Sequence, residues 1–277
     1  MARMARFSIA TFFFFSLLLP RLVLADVTVA QAERYMETSG LGELLVSIQA
    51  AVQSRLNLQR LLASKIVVGD DVLNTVDVVA KRIPDPQLAI KYLTEEVDSG
   101  MMTSTLTFLH TPLGEKIRSS ESESNRPEAQ IEMQRYALAL SSSPLPMERL
   151  ALVKRLILEA RMEDLVLRML ERVFMTSGDV AEVLTSTEQA QAFRAEITDE
   201  WRRSLPVIKV QFEQLILVNT QYIYRALSND ELERYVRFLS EPEGQMYWKT
   251  SMAIVDIYLK QFVAELVSSL KSLSGAA

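Results

Sequence analysis

Apolar residues recur at three- and four-residue intervals along most of this chain. Within 41–56, Leu41, Leu44, Leu45, Ile48, Val52 and Leu56 fall on one face at helical spacing. Met162, Leu165, Val166, Met169, Leu170 and Val173 do the same further on. Strand-like alternation is scarce, and its best example, residues 65–68, is too short to found a sheet. The pattern predicts an all-α fold, a helical bundle of about ten helices. Helix punctuation agrees. Thr28 with Gln31 and Ser228 with Glu231 read as capping boxes. Asp85 before Pro86 reads as a capping carboxylate followed by a first-turn proline. Gly40, Gly100 and Gly178 stand where helices are expected to stop. Residues 207–227 and 242–270 are apolar around most of their circumference, which predicts buried, central helices in the second half.

The pattern also repeats. Leu41, Leu44, Leu45, Ile48 and Val52 superimpose on Met162, Leu165, Val166, Met169 and Val173 with an offset of 121, and Arg34 meets Arg155. A short phrase, F-L-x-x-P-x-G, occurs at 108–114 and again at 238–244, an offset of 130. The bundle is therefore expected to consist of two tandem related helical repeats, the second carrying nine extra residues between these landmarks. The expected organisation is a signal peptide at 1–25, a first repeat at 26–125, a linker with a connecting helix at 126–146 and a second repeat at 147–277. Residues 119–125 read as a solvated polar stretch, Glu121 and Glu123 included, and 141–146 as a breaker.

In the repeated phrase, Phe108-Leu109 and Phe238-Leu239 close one helix, Thr111 or Glu241 caps the next, and Pro112 or Pro242 occupies its first turn. Gly114 and Gly244 follow one turn in, where glycine costs about 1 kcal/mol against alanine. Their presence in both copies predicts a close backbone approach. Two readings follow: a tightly packed helical corner, or a helix N-terminus holding an anion. Glu241 and Glu243 count against the second in the later copy. With these residues the chain resembles the exported bacterial family called domain of unknown function 2059. The resemblance covers 90–115 and 220–260, and implies fold class and compartment but no activity. Two copies of the phrase depart from a single-unit pattern.

Charge and cysteine usage narrow the setting. Arg3 and Arg6 precede an uncharged run at 7–19, and Val23 and Ala25 sit at −3 and −1 of a cleavage site, as in a secretory signal. The chain lacks cysteine, which excludes disulfides, thiol catalysis and cysteine-based zinc sites. Loss of 1–25 removes Arg3, Arg6 and Arg21 but no acid, so the net charge of −5 deepens to −8. An acidic chain with no dense basic cluster is a poor fit to nucleic acid. The expected location is periplasmic: exported, soluble after cleavage and not membrane-spanning.

Candidate chemistry is sparse. His110 is the sole histidine, and its counterpart in the later phrase is Ser240. No Gly-x-Ser-x-Gly elbow accompanies it. Asp70-Asp71 reads as a helix start, since no calcium-loop pattern surrounds it. Ten methionines follow the signal region, scattered at core spacing, with Met101-Met102 the one adjacent pair. Trp201, Tyr222, Tyr224, Tyr235, Tyr247, Trp248 and Tyr258 gather in the second half, as core or as the lining of a ligand cavity. The sequence thus assigns no catalytic, metal or cofactor residue. The favoured reading is a non-catalytic protein of the bacterial envelope that binds an apolar ligand or a protein partner. The alternative is a carboxylate-dependent envelope hydrolase.

Overall fold

A computed structural model describes residues 26–46, 74–75, 78–79, 85–126 and 128–274. The signal region, the 47–56 part of the first periodic stretch, 65–68 and Asp70-Asp71 lie outside the described residues. Ten helices are delimited among the described residues, and no strand occurs among them. In chain order they are α1 (Val29–Thr38), α2 (Pro86–Glu96), α3 (Ser99–Leu109), α4 (Pro112–Ser124), α5 (Ala129–Ser142), α6 (Met147–Glu159), α7 (Met162–Leu184), α8 (Thr187–Ile223), α9 (Asn229–Ser240) and α10 (Pro242–Ser274). Residues 41–46 are also helical. The fold is all-α, and among the described residues no helix is long and apolar enough to cross a membrane.

Local chemistry accounts for the boundaries. Both predicted capping boxes form, at Thr28 with Gln31 and at Ser228 with Glu231. Asp85 accepts from the Gln87 N–H at 2.9 Å and Pro86 opens α2. The connecting helix α5 ends in the predicted breaker, and α6 begins just past Pro146. Gly40 takes φ 73 after α1, the left-handed conformation glycine allows. Two predicted stops are corrected. Gly100 lies in the first turn of α3, because Asp98 caps that helix by accepting from the Met101 N–H at 2.8 Å. Gly178 lies inside α7, which continues past it against the Arg194 side chain of α8.

A few positions paired by the two sequence offsets take similar local geometry. At the 121 offset, Gly40 meets Arg161, the one non-glycine residue with positive φ among the described residues, at 47°. Each ends a short helix and precedes a helical stretch that begins at Leu41 or Met162. At the 130 offset, the α3 cap Asp98 meets the α9 cap Ser228, and the first residue of α4, Pro112, meets the first residue of α10, Pro242.

The repeated phrase forms a packed corner in both places. A Cβ on Gly114 would overlap the Phe108 carbonyl oxygen and lie 2.7 Å from Leu109 Cα; one on Gly244 would overlap the Phe238 carbonyl oxygen and lie 2.6 Å from Leu239 Cα. Thr111 caps α4 by accepting from the Gly114 N–H at 3.1 Å. The two corners also meet each other. The Phe108 and Phe238 rings stack with centroids 3.7 Å apart and planes within 4°. Thr105 Oγ1 donates to the Glu243 carbonyl, and Lys116 pairs with Glu231 at 2.7 Å.

One hydrophobic cluster runs through both halves, joining Tyr35, Leu93, Met102 and Ile117 to Leu156, Tyr224, Leu239 and Ile254. α10 is the central element, packed against α7, α9, α3 and α2. α8 differs from expectation. It runs unbroken through Pro206 for 37 residues, and its middle is exposed, with Val207 at 59% and Val210 at 61%. Only its two ends are buried, at Ala190, Ile197 and Trp201 and again from Ile216 to Tyr222. An all-round apolar pattern therefore did not place the whole helix inside.

Candidate functional site

A half-open cavity of about 270 Å³ lies where α4, α7, α8, α10 and the corner after α1 meet. Five segments line it. Ser39 to Leu44 forms the corner after α1, Arg118 to Asn125 comes from α4, Met162 to Val166 opens α7, Ile216 to Tyr224 ends α8, and Tyr247 to Ser251 lies on α10. Corresponding positions face the same space: Leu41 and Leu44 meet Met162 and Leu165 at the 121 offset, and Arg118 meets Trp248 at the 130 offset.

The walls are largely apolar, but a polar cluster occupies one part. Tyr224 Oη donates to Glu121 Oε1 at 2.6 Å, and Tyr235 Oη approaches the same oxygen at 3.4 Å. Tyr247 Oη donates to the Ser39 carbonyl at 3.3 Å. Burial pushes the Glu121 carboxyl above the usual carboxylate range, opposed by the two tyrosine hydrogen bonds and the Arg118 charge. Burial, and after it the Glu121 charge, hold the hydroxyls of Tyr224, Tyr235 and Tyr247 well above their ordinary value. These three tyrosines are therefore fixed as proton donors.

Five buried side-chain polar atoms have no hydrogen-bond partner among the described residues: Tyr35 Oη, Arg118 Nε, Asn219 Oδ1, Trp248 Nε1 and Gln261 Oε1. Three of the five belong to residues lining this one cavity. A buried polar atom without a partner costs about 1–3 kcal/mol. Trp248 also borders a second depression, of about 390 Å³, on the α2–α3 side of α10.

A larger depression, about 680 Å³, lies elsewhere, between α6, α7, α8 and α10. Half of its lining residues are charged, Lys154, Glu163, Asp164 and Glu213 among them, and none of the residues with an unpartnered buried atom lines it. Arg161 there is paired with Asp164 at 2.8 Å. Size favours this groove, while chemistry favours the smaller cavity.

The residues weighed from sequence distribute as follows. Tyr224, Tyr247 and Trp248 line the cavity and Tyr235 reaches it through Glu121. Trp201, Tyr222 and Tyr258 are buried away from it, Trp201 against Phe174 and Tyr222 bonded to Glu132 at 2.7 Å. His110 is exposed at the end of α3. Met102 is core, whereas Met101 is 39% exposed.

Glu121 requires a correction. It does not belong to a solvated linker: α4 extends through Ser124, and Glu121 continues the inward row of Leu113 and Ile117 at four-residue spacing. That spacing was the available signal, masked by the surrounding serines and Glu123. Arg118 and Asn219 carried no signal of their own, since only the meeting of α4, α8 and α10 brings them together.

Compared with known proteins, the chain matches no protein-family model, no curated protein and no solved structure.

Proposed function

We propose that this chain is a non-catalytic binding protein of the bacterial envelope that holds a small, mostly apolar molecule in the cavity between its halves. The observation that carries this reading is an apolar-walled space with a small cluster of polar groups, Glu121, Tyr224 and Tyr247, at one part of its lining. In the same proposal, residues 1–25 are a removable signal, the two halves are copies of one helical unit, and the chain is akin to the exported family of domain of unknown function 2059. The matched left-handed corners, matched helix starts and paired F-L-x-x-P-x-G corners support the duplication.

Native mass spectrometry of protein purified from its own host tests the binding reading. The expected result is a non-covalent mass increment, lost on acid denaturation and absent from Leu165→Trp, which fills the cavity. A bare chain mass for the parent protein overturns it.

A second reading, a carboxylate-dependent envelope hydrolase, draws on one observation: Glu43 and Glu121 line the same cavity, as an acid–base pair would. Under that reading Glu43→Gln and Glu121→Gln each abolish cleavage of cell-wall fragments. Under the binding reading there is no cleavage to abolish.

A further inference from the structure

The exposed middle of α8 carries a pattern that has nothing to do with the cavity. Asp199, Arg203, Pro206, Val210, Glu213 and Leu217 follow one another at alternating four- and three-residue spacing, which sets them in one row along the helix. The first five are exposed and Leu217 is half-buried. Phe212, off the row, packs against the main core instead. From end to end the row runs about 27 Å.

The two ends of the row differ in charge. Near the N-terminal end, Arg202 is held by Asp199 at 3.3 Å, which leaves Arg203 as the cation of the row. Near the C-terminal end, Glu213 and Leu217 enter the depression of about 680 Å³, together with Ile157 and with Leu158, which is 73% exposed. That depression adds Glu159 and Glu163 against Lys154, since Arg161 is held by Asp164. Among the described residues neither Arg203 nor Glu213 takes part in an ion pair.

The row is symmetric under reversal. Turned end for end about residue 208, position 199 falls on 217, 203 on 213 and 206 on 210. A two-fold contact demands such a face, because the same patch must meet its own copy. Arg203 then stands opposite Glu213 at both ends, with Pro206 and Val210 meeting between them. A uniformly basic partner would suit Glu213 but oppose Arg203, and a uniformly acidic one the reverse. The surface that carries both signs in the matching order is this face itself.

We propose that two copies of this chain associate about a two-fold axis through the middle of α8. The two helices run antiparallel, Arg203 of each copy pairs with Glu213 of the other, and Val210 packs at the centre.

Sedimentation velocity of protein purified from its own host tests this. The parent is expected to pass from monomer to dimer between about 1 and 100 µM, the range of a modest interface. Arg203→Glu and Glu213→Arg each set like charges opposite one another twice, and each is expected to weaken the dimer at least fivefold. The variant carrying both exchanges restores opposite signs and is expected to return to within about twofold of the parent. All of these side chains are exposed, so the melting temperatures should stay near the parent's. Val210→Asp, at the centre of the row, is expected to leave only monomer and serves as the readout if a charge variant does not fold. A parent that stays monomeric through the range overturns the proposal. So does a trimer or higher assembly, a dimer that survives Val210→Asp, or a double exchange no stronger than the single ones.

Discussion

Glu121 concentrates the physics of this protein in one side chain. Its carboxyl accepts from Tyr224 at 2.6 Å in a buried setting, and burial raises its pKa above the ordinary 4.5. A raised carboxyl means that the folded chain binds more protons than the unfolded chain in the window above that value. Stability must then fall as pH rises through the window, and the full contribution survives only below it. Glu121→Gln mimics the neutral acid and keeps the amide oxygen for the tyrosines. The melting temperature of Glu121→Gln relative to the parent is accordingly expected to climb as pH is raised from about 4. A difference that stays constant with pH would show that the carboxyl ionises as freely folded as unfolded. The sequence concealed this residue because serines and a second glutamate surround it. Its four-residue spacing from Ile117 was the one legible trace.

At the scale of elements, the two phrase corners decide how helices turn. Capping residues, first-turn prolines and the closing Phe-Leu pairs were all legible, since each acts on backbone groups within four residues of itself. Glycine shows where that locality ends. Gly100 and Gly178 look like Gly40 in sequence, yet only Gly40 ends a helix. Gly114 and Gly244 have no room for a methyl group, whereas a Cβ on Gly178 would meet Arg194 Cγ at an ordinary 3.6 Å. Substitution by alanine should therefore have opposite signs. Gly114→Ala and Gly244→Ala are expected to destabilise by about 1–3 kcal/mol through forced displacement of the corner backbone. Gly178→Ala is expected to stabilise by about 0.5–1 kcal/mol through helix propensity. Urea denaturation midpoints of the three variants check this, and the same sign at all three would refute the packed-corner account.

At the scale of the molecule, the halves are joined by a shared core and by the two corners stacked on each other. Phe108 and Phe238, 3.7 Å apart between ring centroids, form the centre of that contact. Each ring truncated to alanine is expected to cost about 3–5 kcal/mol. Because both variants lose one and the same contact, the double variant should cost less than the sum, by about 0.5–1.5 kcal/mol, the usual coupling of an aromatic pair. Chemical denaturation of the two single variants and the double variant closes the cycle. Full additivity would mean that the halves dock without this pair.

Periodicity and capping, read from the chain alone, were sufficient for the all-α class, the helix starts at Pro86, Asn229 and Pro242, the breaker before α6 and the paired corners. Those features depend on interactions between near neighbours, and near neighbours are what a sequence lists. The exposure of the α8 midsection, the inward turn of Glu121 and the gathering of Arg118, Asn219 and Trp248 around one cavity depended on which helices end up side by side. Residues 101 positions apart, such as Arg118 and Asn219, line one cavity only after the core has closed, so their meeting exists in the packed molecule and nowhere in the order of the chain.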